Sequence, residues 1–434
     1  MNYYSLNRQS PTVDFKEAAM RGQAPDKGLY FPEHIPVFDS SFFHNMEEME
    51  DEEIAYQVIQ PYVGEAIPSK ILRKIIHETL SFPIPLVKVN ENIFSLELFH
   101  GPTLAFKDVG ARFMSRCLGY FSGQDARRGR TVVLVATSGD TGGAVANGFY
   151  NVKGVEVVIL YPSGKVSSVQ EKQLTTLGKN IHALEVRGNF DDCQLLVKQA
   201  FADEALNQKL FLTSANSINI ARWLPQQFYY FLAWKQWPHK KHPPVISVPS
   251  GNFGNICAGI LSHASGLPVQ YFIAACNVND AVPEFLKTGK YQPKKTIPTI
   301  SNAMDVGDPS NFVRILEIFE EDMSELKRIL SASSITDEET KKTIKKIFKQ
   351  YHYLLDPHGA VGFLSLERYL KKNKELKGFF VETAHPVKFF DVVEPLIEEK
   401  IPLPASVQGI MDKKMETTKM EVDYNFLKEF LLKL

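Results

Sequence analysis

One lysine in the sequence stands where its amine could act as a nucleophile. Lys107 lies near the end of the run H-G-P-T-L-A-F-K-D at residues 100–108, between apolar residues and the predicted start of a helix. Partial burial and the positive end of a helix dipole both lower the pKa of an amine, and a neutral amine can form a Schiff base with a carbonyl compound. A surface lysine at a helix start is the ordinary alternative, and the local pattern leaves both interpretations open.

Two glycine-rich segments each follow a predicted strand and open a predicted helix. The first is T-S-G-D-T-G-G-A at residues 137–144, and the second is P-S-G-N-F-G-N at residues 249–255. Backbone N–H groups at such junctions can hold a phosphate or a carboxylate. Turns that need glycine only for tight packing are the alternative for each segment alone. Neither segment has the G-x-G-x-x-G spacing of dinucleotide-binding proteins.

Further polar residues could complete a site for an anion. The segment N-S-I-N-I-A-R contains Asn216, Ser217, Asn219 and Arg222, and the turn P-S-G-K contains Lys165. Amide, hydroxyl and guanidinium groups suit phosphate oxygens, and a lysine adds a point charge. Capping of a helix by Asn216 or Ser217 would explain the first segment equally well.

The run E-T-A-H-P at residues 382–386 follows another apolar stretch. Thr383 could present its hydroxyl to the ring of a ligand, whereas His385 is expected to be structural. In open sheets of parallel strands, ligands bind beyond the carboxyl ends of the strands. Lys107 and the two glycine-rich segments all follow predicted strands, so we expect them to lie at that edge.

The elements predicted to position these residues alternate between short strands and helices. Apolar, β-branched runs predict strands at residues 86–89, 93–98, 131–136, 155–160, 245–248, 270–275 and 379–382. Strands with helices between them indicate βαβ units and a mainly parallel sheet. Since a chain of 434 residues exceeds the usual size of one hydrophobic core, we predict an α/β protein with two subdomains around a cleft.

Changes in pattern along the chain predict the domain division. Residues 1–84 are expected to form an N-terminal unit that is mostly helical from about 46 to 80. The remaining units are a catalytic core at 85–308 and 350–404, a charge-rich helical insertion at 309–349 and a C-terminal helical segment at 405–434.

Composition argues against several classes of protein. The chain has 49 Lys plus Arg against 50 Asp plus Glu, so its charge gives no reason to expect nucleic acid or an anionic membrane as a partner. Its four cysteines show no C-x-x-C spacing, which predicts neither a metal site nor a redox pair. We find no apolar run near the ~18 residues of a membrane helix and no secretory signal. The expectation is a cytoplasmic enzyme.

Taken together and in this order, the segments resemble the threonine synthases. The resemblance covers nearly the whole chain and also includes G-Q-A-P-D-K-G-L-Y-F-P at 22–32, N-A-M-D-V-G-D-P-S-N at 302–311, D-P-H-G at 356–359 and T-A-H-P at 383–386. It implies a fold type II enzyme, with mainly parallel twisted sheets in two subdomains, that uses pyridoxal 5′-phosphate. The implied reaction converts O-phospho-L-homoserine and water into L-threonine and phosphate.

The resemblance also implies roles for individual residues. Lys107 is similar to the lysine that holds the cofactor as a Schiff base, and Thr383 to the hydroxyl that contacts the pyridine nitrogen. The loop for the cofactor phosphate corresponds to Gly251, Asn252, Phe253, Gly254 and Asn255. The loop for the substrate carboxylate corresponds to Ser138, Gly139, Asp140 and Thr141. We assign the departing phosphate to Lys165, Asn216, Ser217, Asn219 and Arg222.

Three positions depart from the pattern of the resembled enzymes. Lys27 stands where glycine is usual, and Val109 replaces an aromatic residue; both are expected to lie away from the reacting atoms. Asp140 stands where many fold type II enzymes have an asparagine beside the phenolic oxygen of the cofactor. An aspartate there would repel a phenolate unless it were protonated or paired.

Other functions stay open on the sequence alone. A related phospholyase or a threonine or serine dehydratase would share Lys107 and residues 251–255 without needing a site for a substrate phosphate. A catalytically silent homologue could bind a phosphorylated metabolite or a partner protein instead. A nucleotide-binding α/β protein is a further alternative, and the sequence predicts no oligomeric state.

Overall fold

A computed structural model describes residues 1–123 and 131–434. The strands in these ranges are β1 (Asn2–Ser5), β2 (Val13–Asp14), β3 (Tyr30–Pro32), β4 (Leu86–Lys88), β5 (Ile93–Glu97), β6 (Thr131–Ala136), β7 (Val155–Pro162), β8 (Ile181–Val186), β9 (Phe211–Thr213), β10 (Val245–Pro249), β11 (Tyr271–Cys276), β12 (Leu330–Ser334), β13 (Gly378–Glu382) and β14 (Thr418–Met420).

The helices alternate with these strands through most of the chain. They are α1 (Phe15–Arg21), α2 (Ser40–Asn45), α3 (Asp51–Val63), α4 (Ser69–Thr79), α5 (Lys107–Ser122), α6 (Asp140–Phe149), α7 (Ser168–Thr175), α8 (Phe190–Ala202), α9 (Glu204–Asn207), α10 (Ile220–Trp223), α11 (Gln227–Gln236), α12 (Gly254–Ala264), α13 (Ala281–Thr288), α14 (Phe312–Ile318), α15 (Met323–Ile329), α16 (Asp337–Tyr351), α17 (Pro357–Lys372), α18 (Phe390–Ile397), α19 (Ala405–Met411) and α20 (Tyr424–Lys433). Short 3-10 helices lie at Met46–Glu48, Gly64–Ala66, Leu224–Gln226, Asn302–Met304 and Pro386–Phe389. None of the helices described is long and apolar enough to cross a membrane.

Three sheets organise these elements. A small antiparallel sheet has the strand order β2-β1-β3, and the two large sheets have the orders β12-β11-β10-β13-β5-β4 and β14-β8-β7-β6-β9. Within the large sheets every pair of strands is parallel except β4 with β5. Strands covered by helices on both faces are apolar along their whole length, and every residue of β6 is buried.

The N-terminal residues pack into the same core as the catalytic elements. Tyr3 and Phe15 belong to the largest hydrophobic cluster together with Phe113 and Phe121 of α5. The rings of Phe15 and Phe121 lie 6.3 Å apart, and the Tyr3 hydroxyl donates to the carbonyl of Tyr62 in α3 at 2.7 Å. Helix α5, which begins at Lys107, therefore packs against the N-terminal residues.

Two segments expected to be helical also contribute strands. Residues 309–349 contain β12, which pairs in parallel with β11, and residues 405–434 contain β14, which pairs in parallel with β8. Strand β12 was not predicted because it reads L-S-A-S-S and lacks the apolar, β-branched residues by which strands are recognised. Its extended conformation depends on pairing with β11 instead.

Candidate active site

The turn before α5 places Lys107 beside Thr383. The backbone N–H of Phe106 donates to the carbonyl of Thr383 at 2.9 Å, and Ala105 forms an isolated antiparallel bridge with Ala384. Thr383 follows β13, which is the neighbour of β5 in the six-stranded sheet. The lysine and the hydroxyl expected to face one ring therefore lie at the carboxyl ends of adjacent strands.

The amine of Lys107 is largely removed from water. Its side chain is 16% exposed and its Nζ lies 3.9 Å from Oδ2 of Asp140. Burial lowers the pKa of Lys107 to about 8, although the Asp140 carboxylate acts in the opposite direction. Because the neutral form is accessible near neutral pH, Lys107 can act as a nucleophile or as a base.

Asp140 is an ionised carboxylate held by two side chains. Nζ of Lys388 lies 2.7 Å from its Oδ1, and Nε2 of Gln170 donates to the same oxygen at 2.9 Å. Although burial alone would raise it, Lys388 and Lys107 hold the pKa of Asp140 well below its usual range. The concern that this aspartate would repel a phenolate is met by pairing, because Lys388 supplies the opposite charge.

The turn before Asp140 depends on a glycine. Gly139 has a φ of +136°, and a Cβ on it would lie 2.5 Å from Cδ of Gln170. The Thr137 hydroxyl accepts hydrogen bonds from the N–H groups of Gly139 and Gly142, each at 2.9 Å. Ser138 and Thr141 are half-buried at this junction. The loop from 138 to 141 therefore opens α6 with its backbone fixed.

The second glycine-rich segment forms a cradle at the start of α12. A Cβ on Gly251 would lie 2.6 Å from the Cα of Met304, and Phe253 takes the left-handed conformation with φ of +61°. Nδ2 of Asn255 is buried without a hydrogen-bond partner among the described residues. This NH₂ group lies beside the N–H groups of a helix start, which have no partner within the helix. Such a set of donors suits the oxygens of a phosphate.

The segment at 216–222 contributes Ser217 and Arg222 to this region. The Ser217 hydroxyl accepts a hydrogen bond from Nδ2 of Asn252 at 2.6 Å. Arg222 is 3% exposed and packs on α5, where a Cβ on Gly110 would lie 3.1 Å from its Nε. Its terminal nitrogen donates to the carbonyl of Ala215, and its Nε is buried without a partner in the described parts of the chain. Burial lowers the pKa of Arg222 to about 10.

Other residues assigned to the departing phosphate do not join this cluster. Asn219 caps α10 by accepting from the N–H of Ala221, and its Nδ2 donates to the carbonyl of Ala19 at 2.8 Å. Its amide is therefore used for capping and for holding α1, which corrects the assignment to phosphate. Lys165 is exposed in the turn after β7, and Asn216 is half-buried.

Three residues near the site were missed by the sequence analysis. Lys388 lies shortly after the T-A-H-P run, and Asn311 is the last residue of the run at 302–311. Arg314 follows on α14 and donates to Oδ1 of Asn311 at 2.7 Å. Lys388 and Arg314 are each 0% exposed. The available signal was a lysine or an arginine within an apolar run, which indicates a buried charge. Because charged residues are almost never fully buried without a partner, such a residue is expected to make a specific contact.

A second buried carboxyl lies next to Thr383. Oε1 of Glu382 accepts from the N–H of Asp356 at 2.7 Å, and the side chain is 0% exposed. Burial, with Asp356 beside it, raises the pKa of Glu382 well above its usual range. Burial therefore favours the protonated form of Glu382, whereas Asp140 is a paired anion.

Family models match three consecutive parts of the chain. They are described as "Threonine synthase N terminus" over residues 2–80, "Pyridoxal-phosphate dependent enzyme" over residues 79–379 and "Threonine synthase, C-terminal" over residues 359–431. The threonine synthase of Serratia marcescens is 42% identical to this chain over 435 residues, which is 100% of both.

Solved structures show the same similarity over the whole fold. The crystal structure of threonine synthase from Escherichia coli has a TM-score of 0.92 at 41% identity and covers 100% of both chains. That of pyridoxal-phosphate-bound threonine synthase from Brucella melitensis has a TM-score of 0.92 at 34% identity and covers 99% of this chain and 98% of that one. These matches confirm the fold class predicted from the sequence.

Proposed function

This chain belongs to the threonine synthase family of pyridoxal-phosphate-dependent enzymes, and we propose that it converts O-phospho-L-homoserine and water into L-threonine and phosphate. The observation that carries the proposal is a pair of buried donors that have no hydrogen-bond partner among the described residues, Nδ2 of Asn255 and Nε of Arg222. One lies at the glycine-rich cradle and the other on the guanidinium packed against α5. A phosphorylated cofactor acting on a phosphorylated substrate needs two such places.

The residues of the site fit pyridoxal 5′-phosphate. Lys107 would hold its aldehyde carbon, residues 251–255 would hold its phosphate and Thr383 would face its ring nitrogen. When bound, the cofactor withdraws electrons from the α-carbon of the substrate. The paired charge of Asp140 and Lys388 lets a carboxylate stand beside the ring without an uncompensated negative charge.

The remaining residues would act on the substrate. Lys107, with its pKa lowered to about 8, can accept and return protons at the α- and β-carbons. Because Asp140 is negatively charged, the substrate carboxylate would be bound in the loop 138–141 by backbone N–H groups other than that of Gly139, and not by the Asp140 side chain. Arg222 would bind the departing phosphate, and Ser217, Lys165 and Asn216 stay candidates for the same role.

We also propose the domain division and location expected from the sequence. The N-terminal unit at 1–84 and the catalytic core at 85–308 and 350–404 follow the change from helices to βαβ units. The units at 309–349 and 405–434 each add one strand to a large sheet. The cytoplasm is the proposed location.

Product analysis tests the proposed reaction. The reconstituted protein is incubated with O-phospho-L-homoserine, and threonine and inorganic phosphate are measured together. Equal release of both is expected, and none from a Lys107→Ala variant. Keto acid and ammonia, from this substrate or from serine, threonine or O-phosphoserine, would indicate a dehydratase or phospholyase. No product despite bound cofactor would contradict the proposed substrate.

A further inference from the structure

Arg314 is a fully buried cation that has no carboxylate partner in the described parts of the chain. Its Nε and one terminal nitrogen donate to the carbonyl of Tyr30 at 3.3 and 3.0 Å, and that terminal nitrogen also donates to the carbonyl of Ile218 at 2.7 Å. The other terminal nitrogen donates to Oδ1 of Asn311 at 2.7 Å. The guanidinium carbon lies 4.3 Å from the ring centroid of Trp223. Arg314 thus joins β3 of the N-terminal sheet to two segments of the site.

Asn311 extends this connection to the phosphate cradle, the segment formed by residues 251–255. Its Nδ2 donates to the carbonyl of Asn252 at 3.1 Å and to the Ser217 hydroxyl at 3.3 Å. A Cβ on Gly254 would lie 3.4 Å from the same Nδ2. Since Arg314 can only donate, its bond to Oδ1 fixes the orientation of the Asn311 amide and turns the NH₂ toward the cradle.

The charge of Arg314 is costly unless an anion is near. Burial lowers the pKa of Arg314 to about 10, as expected for a cation bonded only to neutral acceptors. Charges buried without an ion partner are strongly unfavourable. A phosphate in the neighbouring cradle would offset this cost through space, so binding of the phosphate and burial of Arg314 should favour each other.

We propose that Arg314 is a positioning residue that orients the phosphate cradle through Asn311 and couples phosphate binding to the docking of β3. The inference rests on the proposed assignment of residues 251–255 to the cofactor phosphate. Arg314 touches neither cofactor nor substrate in this arrangement and acts through the residues that it holds.

Binding of two forms of the cofactor separates this role from general stabilisation. Apo protein of the wild type, Arg314→Lys and Asn311→Ala is titrated with pyridoxal 5′-phosphate and with pyridoxal, which lacks the phosphate, and the absorbance of the lysine-bound form is followed. Both variants should bind pyridoxal 5′-phosphate about 10-fold more weakly or worse, the effect of one charged hydrogen bond. Affinity for pyridoxal should change less than about 2-fold, since no phosphate contact is involved. Equal losses for both ligands would overturn the proposal.

Two further measurements keep the proposal testable if Arg314→Lys folds poorly. Asn311→Ala cuts the connection while Arg314 keeps its bonds to the carbonyls of Tyr30 and Ile218. The double variant should bind no more weakly than the weaker single variant, because both changes break one path. Arg116→Gln serves as the control, since Arg116 also donates to a backbone carbonyl, that of Gly148 at 2.9 Å, away from the cradle. Additive losses in the double variant, or the same discrimination in the control, would contradict the role.

Hydrogen exchange tests the coupling to the N-terminal sheet. Pyridoxal 5′-phosphate should slow amide exchange at residues 29–31 in the wild type, and this protection should be lost in Arg314→Lys. Protection retained in the variant would contradict the coupling. None of these assays requires turnover. A protein that gives the expected binding and exchange results but makes no threonine would therefore contradict only the proposed reaction.

Discussion

The two buried arginines near the site, Arg314 and Arg222, differ in how much of each guanidinium is bonded. Arg314 donates to Tyr30, Ile218 and Asn311, whereas Arg222 donates to Ala215 and leaves its Nε without a partner among the described residues. Burial lowers the pKa of each to about 10. Equal burial of equal charge therefore does not imply equal roles, since only Arg222 has a guanidinium nitrogen without a partner among the described residues.

The two lysines beside Asp140 show the same contrast. Lys388 is 0% exposed, lies 2.7 Å from Oδ1 of the carboxylate and donates to the carbonyl of Thr103 at 2.8 Å. Lys107 is 16% exposed and lies 3.9 Å from Oδ2. Arg314 and Lys388 are thus fixed by bonds within the protein. Arg222 and Lys107 each keep a polar group available for a ligand.

The largest expected effect separates the two lysines. Lys107→Ala should lower threonine formation by about 1,000-fold or more, since it removes both the cofactor attachment and the base, and should leave the unfolding free energy nearly unchanged. Lys388→Met should lower the unfolding free energy by about 3 kcal/mol, because the buried Asp140 loses the nearer of its two cationic partners. Activity assays with the cofactor present measure the loss of threonine formation. Urea unfolding of the two variants without cofactor measures the change in unfolding free energy. A Lys107→Ala variant that was the less stable of the two would break the comparison.

A second prediction concerns the free donor of Arg222. Arg222→Gln should lower kcat/KM for the phosphorylated substrate by about 100-fold, the effect of losing a charged contact to phosphate of ~3 kcal/mol. Inhibition by inorganic phosphate should weaken in parallel, whereas binding of L-homoserine, which lacks the phosphate, should not change. Steady-state kinetics and a spectroscopic titration with L-homoserine check this. Equal weakening for both compounds would mean that Arg222 does not bind the substrate phosphate and that its role is structural, like that of Arg314.

A third prediction concerns the pKa of Lys107. The pKa is lowered to about 8 mainly by burial, raised by Asp140 and lowered further by Lys388 and Arg222. In apo protein, labelling of Lys107 by an amine reagent should therefore increase with pH around a midpoint near 8. Asp140→Asn should move the midpoint to lower pH and Arg222→Gln to higher pH. Peptide mass spectrometry across the pH range measures each midpoint, and shifts in the same direction would contradict the assigned charges.

The smallest expected effect extends the comparison to the buried acids. The folded-state pKa of Glu382 is raised, so its stabilising contribution is fully present below the unfolded pKa and is lost as pH increases through the raised value. Glu382→Gln carries no such penalty and should be more stable than the wild type at about pH 8. The difference should vanish near about pH 4, where the unfolded carboxyl is also protonated. Urea unfolding at both pH values tests this, and parallel pH profiles would indicate an ionised Glu382.

The sequence predicted most strands in the interior of the two large sheets, but it missed β8 (Ile181–Val186) and three of the four edge strands, β9, β12 and β14. Strand β6 was predicted with its observed bounds, because T-V-V-L-V-A is apolar after its first residue and rich in β-branched residues. Strands β9 and β14 have three residues each, too few for a periodic signal. Local sequence therefore identified the centre of the sheets more reliably than their edges.

In the site, the sequence predicted which segments meet but not which charges pair. Lys107 and Thr383 lie together because both follow strands of one sheet. Residues that follow parallel strands meet at the same edge of the sheet, and this can be inferred from the order of elements along the chain. The ion pair of Asp140 with Lys388 joins segments distant in sequence and depends on side-chain direction. The capping role of Asn219 was equally hidden, since an asparagine before a helix can bond to the helix or to a ligand.

The place of β13 in the sheet has a consequence for synthesis of the protein. This strand lies between β10 and β5 yet comes after both in the chain. As the chain emerges from the ribosome, β4 and β5 on one side and β10 to β12 on the other have no common partner until residue 382 appears. The growing chain thus carries two unpaired strand edges for much of its synthesis, a condition that favours mispairing. We expect early protection by chaperones, and completion of the Lys107 and Thr383 site only at that late stage.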